Sequence, residues 1–285
     1  MEVIKGFKDN EKLRKSFNEL STTTFGINFE SWYQKGYWTE KYEPFSIVDG
    51  NQVVANVSVN HIDLIIAGEI LRGLQIGTVM THPDFRNKGL SRKLMNHVLE
   101  EFEGQYDVMY LFANQTVLDF YPKFGFKALP EYQYSMDLPL DSLVYSNVRK
   151  LDDLNKIYDF SKNRIPVSKV LGTENTQELL MFYCMYVFTE DIYYIEELDT
   201  IVIYRANDEE LHLFDVMSQS KAEITEVLKR IVNEETRRVV FHYTPDKENI
   251  NLKREQVVDG DVLFVKTKDG ISFPEFFKHP ITAQA

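Results

Sequence analysis

The feature that most limits the fold is a segment in which an apolar strand, ended by a proline, is followed by a loop and an amphipathic helix. The strand covers Leu74–Thr81, Pro83 ends it, and Gly89 precedes the helix. The apolar helix residues recur on one face: Leu90, Leu94, Val98 and Phe102. A second strand, Asp107–Ala113, follows the helix. This order predicts a strand–helix–strand unit whose helix packs against a sheet.

The second half of the chain repeats that order. A strand at Leu211–Met217 leads to a helix at Ala222–Val232 and a strand at Arg238–Tyr243. Ser220 and Glu223 have the spacing of a capping box, which predicts that Ser220 caps this helix. The connection between strand and helix is short here and contains no glycine. The repeat therefore predicts a second, degenerate copy of the first fold.

The remaining patterns complete two domains, one over residues 1–140 and one over residues 141–285, with a connection around Asp141. Asp49-Gly50 is typical of a hairpin turn. Further strands are predicted at Val3–Phe7, Phe45–Val48, Val53–Val59, Ile62–Ile66, Tyr132–Leu138, Ile192–Ile195, Ile201–Arg205 and Val262–Thr267, and further helices at Glu11–Leu20, Thr116–Lys123, Asp152–Lys162 and Thr176–Phe188. The predicted fold class is α/β (α+β), with two domains that each have a mixed, largely antiparallel sheet flanked by helices.

Composition excludes several function classes. A formal net charge of −12 disfavours nucleic-acid binding, which rewards clustered Lys and Arg. No apolar run approaches the roughly 20 residues that span a bilayer, so we expect no membrane partner and a cytoplasmic location. The single cysteine, Cys184, lies in an apolar run and is expected to be a buried thiol. No Cys/His cluster has metal-ligand spacing, so no metal is expected.

The loop between the first strand and its helix has the properties of an anion site. The first amides of a helix have no intrahelical acceptor, and the helix dipole adds positive potential there. Gly89 allows close approach of the backbone, and Arg86 and Lys88 add charge. A phosphate or pyrophosphate fits such a position. The segment lacks the Gly-Lys-Ser/Thr pattern of a Walker loop and the glycines of a dinucleotide fingerprint.

Two ordered motifs give the chain its resemblance to a known family. Arg86-Asn87-Lys88-Gly89-Leu90-Ser91 resembles the Arg/Gln-x-x-Gly-x-Gly/Ala motif of the GCN5-related N-acetyltransferase (GNAT) superfamily, with Ser91 at the last small position. Asn114, followed by Tyr121 and Gly125-Phe126, resembles that family's second signature. The sequence of the segment around the first motif is similar to that of the tandem GNAT proteins of the enhanced-intracellular-survival group. Those proteins also carry a sterol-carrier-like domain, for which this length leaves no room, and a homo-oligomer is compatible with the resemblance.

The resemblance implies an acetyl-CoA site in the first domain and none in the second. The backbone of Val79, Met80 and Thr81 is expected to bind the pantetheine arm, and the backbone N–H groups of Arg86 to Ser91 the pyrophosphate. Asn114 is expected either to bind the pantetheine or to cap the following turn. Tyr121 is the expected general acid, which protonates the departing thiolate. The implied reaction is direct acetyl transfer to the primary amine of a small molecule in a ternary complex.

The sequence leaves the acceptor side open. Candidates for the base that deprotonates the amine are Glu30, Glu40, His61 and His82. An aromatic group is explained equally by an acceptor wall and by ordinary packing: Phe29, Trp32, Tyr33, Tyr37 and Trp38. A polyamine or an aminoglycoside is one class of acceptor, and a protein or peptide amine is another. The non-catalytic alternative is an acyl-CoA-binding sensor or scaffold.

Overall fold

A computed structural model describes residues 1–138, 148–246 and 250–285. The connection predicted around Asp141 lies outside these residues. The α-helices are α1 Glu11–Phe25, α2 Glu30–Gln34, α3 Leu90–Glu101, α4 Leu154–Ser161, α5 Gln177–Tyr186 and α6 Ile224–Ile231. The strands are β1 Glu2–Lys5, β2 Tyr42–Asp49, β3 Gln52–Ile66, β4 Glu69–Thr81, β5 Val108–Ala113, β6 Lys127–Leu129, β7 Tyr132–Asp137, β8 Val148–Lys150, β9 Leu171–Glu174, β10 Ile192–Ile195, β11 Thr200–Asn207, β12 Glu210–Ser218, β13 Arg238–Phe241, β14 Lys253–Gln256 and β15 Val262–Thr267.

These strands form two mixed sheets, which confirms the predicted fold class. The first sheet has the order β1-β2-β3-β4-β5-β15-β6, and β9 pairs with β3 beside it. The second has the order β14-β7-β13-β12-β11-β10-β8. The repeat seen in the sequence is present in both, because β4 pairs with β5 in parallel and β12 pairs with β13 in parallel. Each parallel pair is joined by one helix, α3 in the first sheet and α6 in the second.

Sheet membership does not follow the division expected at residue 140. Strand β7 belongs to the second sheet, where it pairs with β13 and β14. Strand β15, near the other end of the chain, lies between β5 and β6 in the first sheet. The first half therefore gives β7 to the second sheet, and the second half gives β15 and β9 to the first sheet. Alternating side chains indicate which face of a strand is buried but not which strand is its neighbour, so the sequence could not reveal this exchange.

The apolar core is also continuous between the halves. Helix α3 covers one face of the first sheet with Leu94, Met95 and Val98, as its predicted stripe requires. On the other face, Phe17 of α1 and Trp32 of α2 belong to one buried cluster with residues of α5, β11 and β12. The indole N–H of Trp32 donates to the carbonyl of Glu178 on α5 at 2.8 Å. Residues of the second half thus pack directly against α2 of the first half.

Three local predictions differ from the structure. The two predicted strands at Val53–Val59 and Ile62–Ile66 are a single strand, β3. The predicted helix at Thr116–Lys123 is a series of turns followed by a 3₁₀ helix at Tyr121–Phe124, because Pro122 lacks the N–H that an α-helix needs. Helix α6 begins after Glu223 rather than after Ser220, so the predicted capping box is absent.

The exchanged strands lead to a prediction about folding. We expect a fragment of residues 1–138 not to fold by itself, because β15 no longer covers the edge of β5 and β7 has no partner. Thermal unfolding followed by circular dichroism should show no cooperative transition. Addition of residues 139–285 in trans should restore one. A sharp transition in the isolated fragment would contradict the exchange as a requirement for folding.

Candidate active site

The site begins at a bulge in β4. Asn56 of β3 pairs with Met80, whereas Ser58 pairs with Gly77, so Thr78 and Val79 together face a single residue of β3. Thr78 has a φ of 49°, in the left-handed region that β-branched residues rarely adopt. Such a conformation costs on the order of 1–3 kcal/mol and persists only where neighbouring groups enforce it. The bulge turns the end of β4 away from the plane of the sheet.

A chain of buried hydrogen bonds enforces the bulge. Asn56 Nδ2 donates to the carbonyl of Thr78 at 2.9 Å and to Ser58 Oγ at 2.8 Å, while Ser46 donates to Asn56 Oδ1 at 2.8 Å. The Ser58 hydroxyl donates to the Tyr42 hydroxyl, which lies 2.9 Å from Thr78 Oγ1. Either hydroxyl of the Tyr42–Thr78 pair can be the donor, so the chain reaches the Thr78 side chain as well as its carbonyl.

The bulge separates β4 from β5. Parallel pairing between these strands ends at Ile76 and Leu111. Beyond that point β5 continues beside β15 as far as Ala113, whereas from Gly77 onward the edge of β4 that faces β5 has no strand partner among residues 1–138, 148–246 and 250–285. The gap opens into a cavity of about 670 Å³. Unpaired backbone groups along this edge are available to an extended ligand.

The cavity brings together six of the predicted site residues: Val79, Met80, Thr81, Ser91, Asn114 and Tyr121. The other five lie outside its lining, on the loop that leads from β4 to α3 and at the start of that helix: Arg86, Asn87, Lys88, Gly89 and Leu90. The two groups are joined where the hydroxyls of Thr81 and Ser91 lie 2.7 Å apart. This bond also accounts for a serine at the last position of the loop motif.

The loop before α3 presents backbone N–H groups and positive charge to solvent. Asn87 and Gly89 both have positive φ, at 61° and 75°. Gly89 is the N-cap of α3, and no side chain hydrogen-bonds the first-turn N–H groups of that helix. Arg86 and Lys88 are exposed, and neither forms an ion pair with any carboxylate in the described part of the chain. The arrangement suits a ligand with negative charge.

Tyr121 lies at the opposite wall of the cavity, at the start of the 3₁₀ helix that Gly125 ends. Its ring packs against Phe120, Phe126 and Phe264. Within residues 1–138, 148–246 and 250–285, no group hydrogen-bonds its hydroxyl. Burial, reinforced by the negative charge of Asp261, raises the pKa of Tyr121 to about 12.

Asn114 follows β5 at the cavity edge. Its Oδ1 accepts from the backbone N–H of Thr116 at 3.0 Å and from the Thr116 hydroxyl at 2.5 Å. The side chain therefore caps the turn that leads to Tyr121. The NH₂ group of the same side chain remains available as a donor at the cavity.

The four candidate bases are not in the cavity lining. Glu30 is bound to Arg14 at 2.9 Å, and Glu40 to Lys8 at 3.1 Å. His61 packs against Phe102, and His82 caps the 3₁₀ turn at Pro83–Phe85. Of the aromatic group, Phe29 and Trp32 line the cavity, whereas Tyr33, Tyr37 and Trp38 pack in the core around them.

The cavity also contains residues that sequence reasoning missed. They are Thr78, Asp119, Phe182, Asp261 and the last two residues, Gln284 and Ala285. Two of them had a signal in the sequence. Asp119 lies between the motif residues Asn114 and Tyr121, and Phe182 is part of an aromatic pair, Phe182-Tyr183. No local pattern indicates Thr78 or Asp261, because the first depends on a bulge and the second on the strand exchange.

The C-terminal segment reaches the cavity by passing through the second domain. Ile281 N–H donates to the carbonyl of His242 after β13, and the Thr282 hydroxyl donates to Asp215 of β12 at 2.6 Å. The segment thus hydrogen-bonds to β12 and to the residue after β13, just beyond the point where the pairing of these two strands ends. In the first domain, the cavity lies at the equivalent place, beyond the end of the pairing of β4 and β5. Asp215 is buried and also binds Arg164 through two bonds. Further on, Tyr183 donates to the carbonyl of Gln284 at 2.8 Å.

Comparisons with known proteins agree with this geometry. Residues 8–129 match the family model of the acetyltransferase (GNAT) domain. A GCN5-related N-acetyltransferase from Kribbella flavida is 15% identical, with a TM-score of 0.58, over 93% of this chain and 71% of that one. Eis1 from Mycobacterium abscessus is 12% identical, with a TM-score of 0.60, over 92% and 73%. A GCN5-related N-acetyltransferase from Anabaena variabilis is 14% identical, with a TM-score of 0.55, over 93% and 73%. A search of curated proteins gives no match.

Residues 8–129 thus match an acetyltransferase (GNAT) domain, and the fold of the whole chain is similar to that of these solved structures. This domain is of the acyltransferase class. Each structural relative above aligns over both domains of this chain, which confirms the predicted tandem architecture. None of the helices in the described ranges is long and apolar enough to cross a bilayer.

The hydrogen-bond chain behind the bulge leads to a prediction about stability. Tyr42→Phe should lower the free energy of unfolding by about 1–3 kcal/mol, because the buried Ser58 hydroxyl loses its acceptor. Urea denaturation measures the change. Tyr33→Phe is the matched control, since its hydroxyl bonds Asp9 in an exposed position. Equal stability of the two variants would show that the buried chain does not hold the bulge.

Proposed function

We propose that the protein transfers an acetyl group from acetyl-CoA directly to the primary amine of a small molecule, with one donor site per chain. The observation that carries this proposal is that one cavity is lined both by the end of β4, which has no strand partner among the described residues on the side of β5, and by Tyr121, whose hydroxyl has no hydrogen bond among them. A thioester arm laid along that edge would end near the hydroxyl. The divergence of β12 and β13 offers no second site, because residues of the C-terminal segment bond both strands there.

Each group around the cavity then has a role. The backbone edge at Val79, Met80 and Thr81 would bind the pantetheine arm, and the NH₂ group of Asn114 would donate to it. The N–H groups from Arg86 to Ser91, with the free charges of Arg86 and Lys88, would hold the pyrophosphate. An N–H group at the bulge would polarise the thioester carbonyl. The left-handed backbone at Thr78 supports this, because it turns the local peptide groups out of the ladder.

Tyr121 would supply the proton that the sulfur needs. Acetyl-CoA supplies a carbonyl carbon that a neutral amine attacks, so that a C–N bond forms as the C–S bond breaks. The Tyr121 hydroxyl gives its proton to sulfur, and the proton lost from nitrogen returns through water to the phenolate. A pKa near 12 makes transfer to a free thiolate uphill by about 5 kcal/mol. The same burial also raises the pKa of a thiol formed beside Tyr121, which narrows that gap.

The donor loop can be tested at Gly89. Gly89→Glu should weaken acetyl-CoA binding by about tenfold or more, because it adds negative charge and backbone strain where the pyrophosphate would lie. Gly104→Glu is a matched control: it has the same φ of 75° and equally open surroundings, at the far end of α3. Isothermal titration calorimetry compares the two. Equal affinity would remove the loop from the donor site.

The role of Tyr121 can be tested by Tyr121→Phe. Loss of the acid should lower kcat by about 10²-fold and leave acetyl-CoA affinity unchanged. Tyr106→Phe, a buried tyrosine outside the cavity, is the control. Thiol release from acetyl-CoA in the presence of an amine panel is the assay. Wild type that binds acetyl-CoA and acetylates no amine would favour the sensor or scaffold instead.

The pH profile completes this test. A pKa of about 12 means that Tyr121 keeps its proton at every lower pH, so the acid form is present throughout the usable range. Activity should rise with pH as the amine substrate becomes neutral and should not fall again below about pH 10. A descending limb near pH 8 to 9 in the wild type would show that a different group, with a lower pKa, acts as the acid.

A further inference from the structure

Away from the donor residues, the cavity has a second half with a different character. Its walls come from the end of α1, from α2 and from α5 of the other domain. The residues that these elements and their connection contribute are apolar or aromatic: Phe25, Ile27, Phe29, Trp32, Leu179, Phe182 and Tyr183. We call this half of the cavity the aromatic half. The polar residues beside it, Tyr42 and Asn60, are uncharged.

The charged side chains of the cavity lining lie on the donor side. The charged side chains in the lining are Asp119, Lys123 and Asp261, all on the segment after β5 or just before β15. The carboxylates on α2 and α5 are Glu30 and Glu178, and both are engaged elsewhere. Glu30 binds Arg14, and Glu178 binds Lys41 at 3.1 Å. The aromatic half therefore has no side-chain carboxylate with which to bind a cation.

The aromatic surface is continuous from the cavity rim to the bulge. Tyr186 and Phe182 have ring centres 4.8 Å apart, Phe182 and Phe29 5.5 Å, and Phe29 and Tyr42 5.6 Å. The last ring is the one whose hydroxyl bonds Thr78. Phe25, in the cavity lining, is 43% exposed, and Tyr186, which contacts Phe182 from outside the lining, is 41% exposed. A ligand that enters here contacts apolar surface from solvent to the reaction centre.

From this arrangement we infer that the acceptor is a primary amine attached to one aromatic or branched-alkyl group, and not a polycation. This inference rests on the proposed acetyl transfer and specifies its substrate. Burying an apolar side group in the aromatic half is favourable. A polyamine or an aminoglycoside would instead have to desolvate several ammonium groups without carboxylate partners, at a cost of several kcal/mol for each ion.

The same apolar surroundings would let the amine lose its proton without a side-chain base. An apolar environment disfavours the charged form of an amine and lowers its pKa, so the substrate loses its proton to water as it enters. The neutral amine then attacks the thioester without a side-chain base. This agrees with the positions of Glu30, Glu40, His61 and His82, none of which lines the cavity.

The test compares acceptors and reverses the preference by mutation. With acetyl-CoA as donor at pH 8, kcat/KM is measured for 2-phenylethylamine, 3-methylbutylamine, spermidine and kanamycin. The wild type should prefer the first two by about tenfold or more. Phe182→Asp should lower kcat/KM for 2-phenylethylamine by a similar factor and raise it for spermidine. Phe25→Asp, at a more exposed position, provides a second variant if Phe182→Asp does not fold.

A matched control separates the outcomes. Ile70→Asp places the same charge at an apolar side chain that is 61% exposed, near the opposite end of β4, and should leave the preference unchanged. Preference of the wild type for spermidine or kanamycin would overturn this inference but leave acetyl transfer intact. Acetyl-CoA binding with no acetylation of any amine would overturn the proposed function and, with it, the inference.

Discussion

The geometry of the site depends on the buried hydrogen bonds that hold the bulge in β4. Ser46, Asn56, Ser58 and Tyr42 lie among apolar core residues, and together they bind both the carbonyl and the hydroxyl of Thr78. Polar groups so placed are costly unless every one has a partner, and here they form an unbroken chain. Without the bulge, β4 would continue beside β5 and the sheet would close. The cavity, the free strand edge and the position of Tyr121 opposite it all follow from this local strain.

The second domain contributes structure to the cavity of the first. Its strand β15 lies beside β5, its helix α5 forms one wall of the aromatic half, and its C-terminal segment ends at the cavity. Asp215, which is buried and paired with Arg164, accepts a hydrogen bond from the Thr282 hydroxyl and so holds that segment. Residues of both halves of the chain thus line one cavity.

How far the sequence could be interpreted depended on how local each signal was. The stripe of α3, the Asp49-Gly50 turn and the two strand–helix–strand units are set by residues within a few positions of each other, and the structure confirms them. Gly89, which the loop motif indicated as a point of close backbone approach, has a φ of 75°. Thr78 gave no signal, because a threonine at positive φ is imposed by partners on β2 and β3. The capping box at Ser220 failed because a local pattern does not exclude a later helix start at Glu223.

The sequence by itself indicated most of the elements and the resemblance of the first domain to GNAT proteins, since periodicity and short motifs act over one or two turns of chain. The tertiary structure decided which strands are neighbours, and so exchanged β7 and β15 between the sheets. It also decided that Phe182 and Asp261 share a cavity with Tyr121. The physical reason is that strand pairing and cavity walls join residues more than 60 positions apart, through contacts that no local pattern encodes.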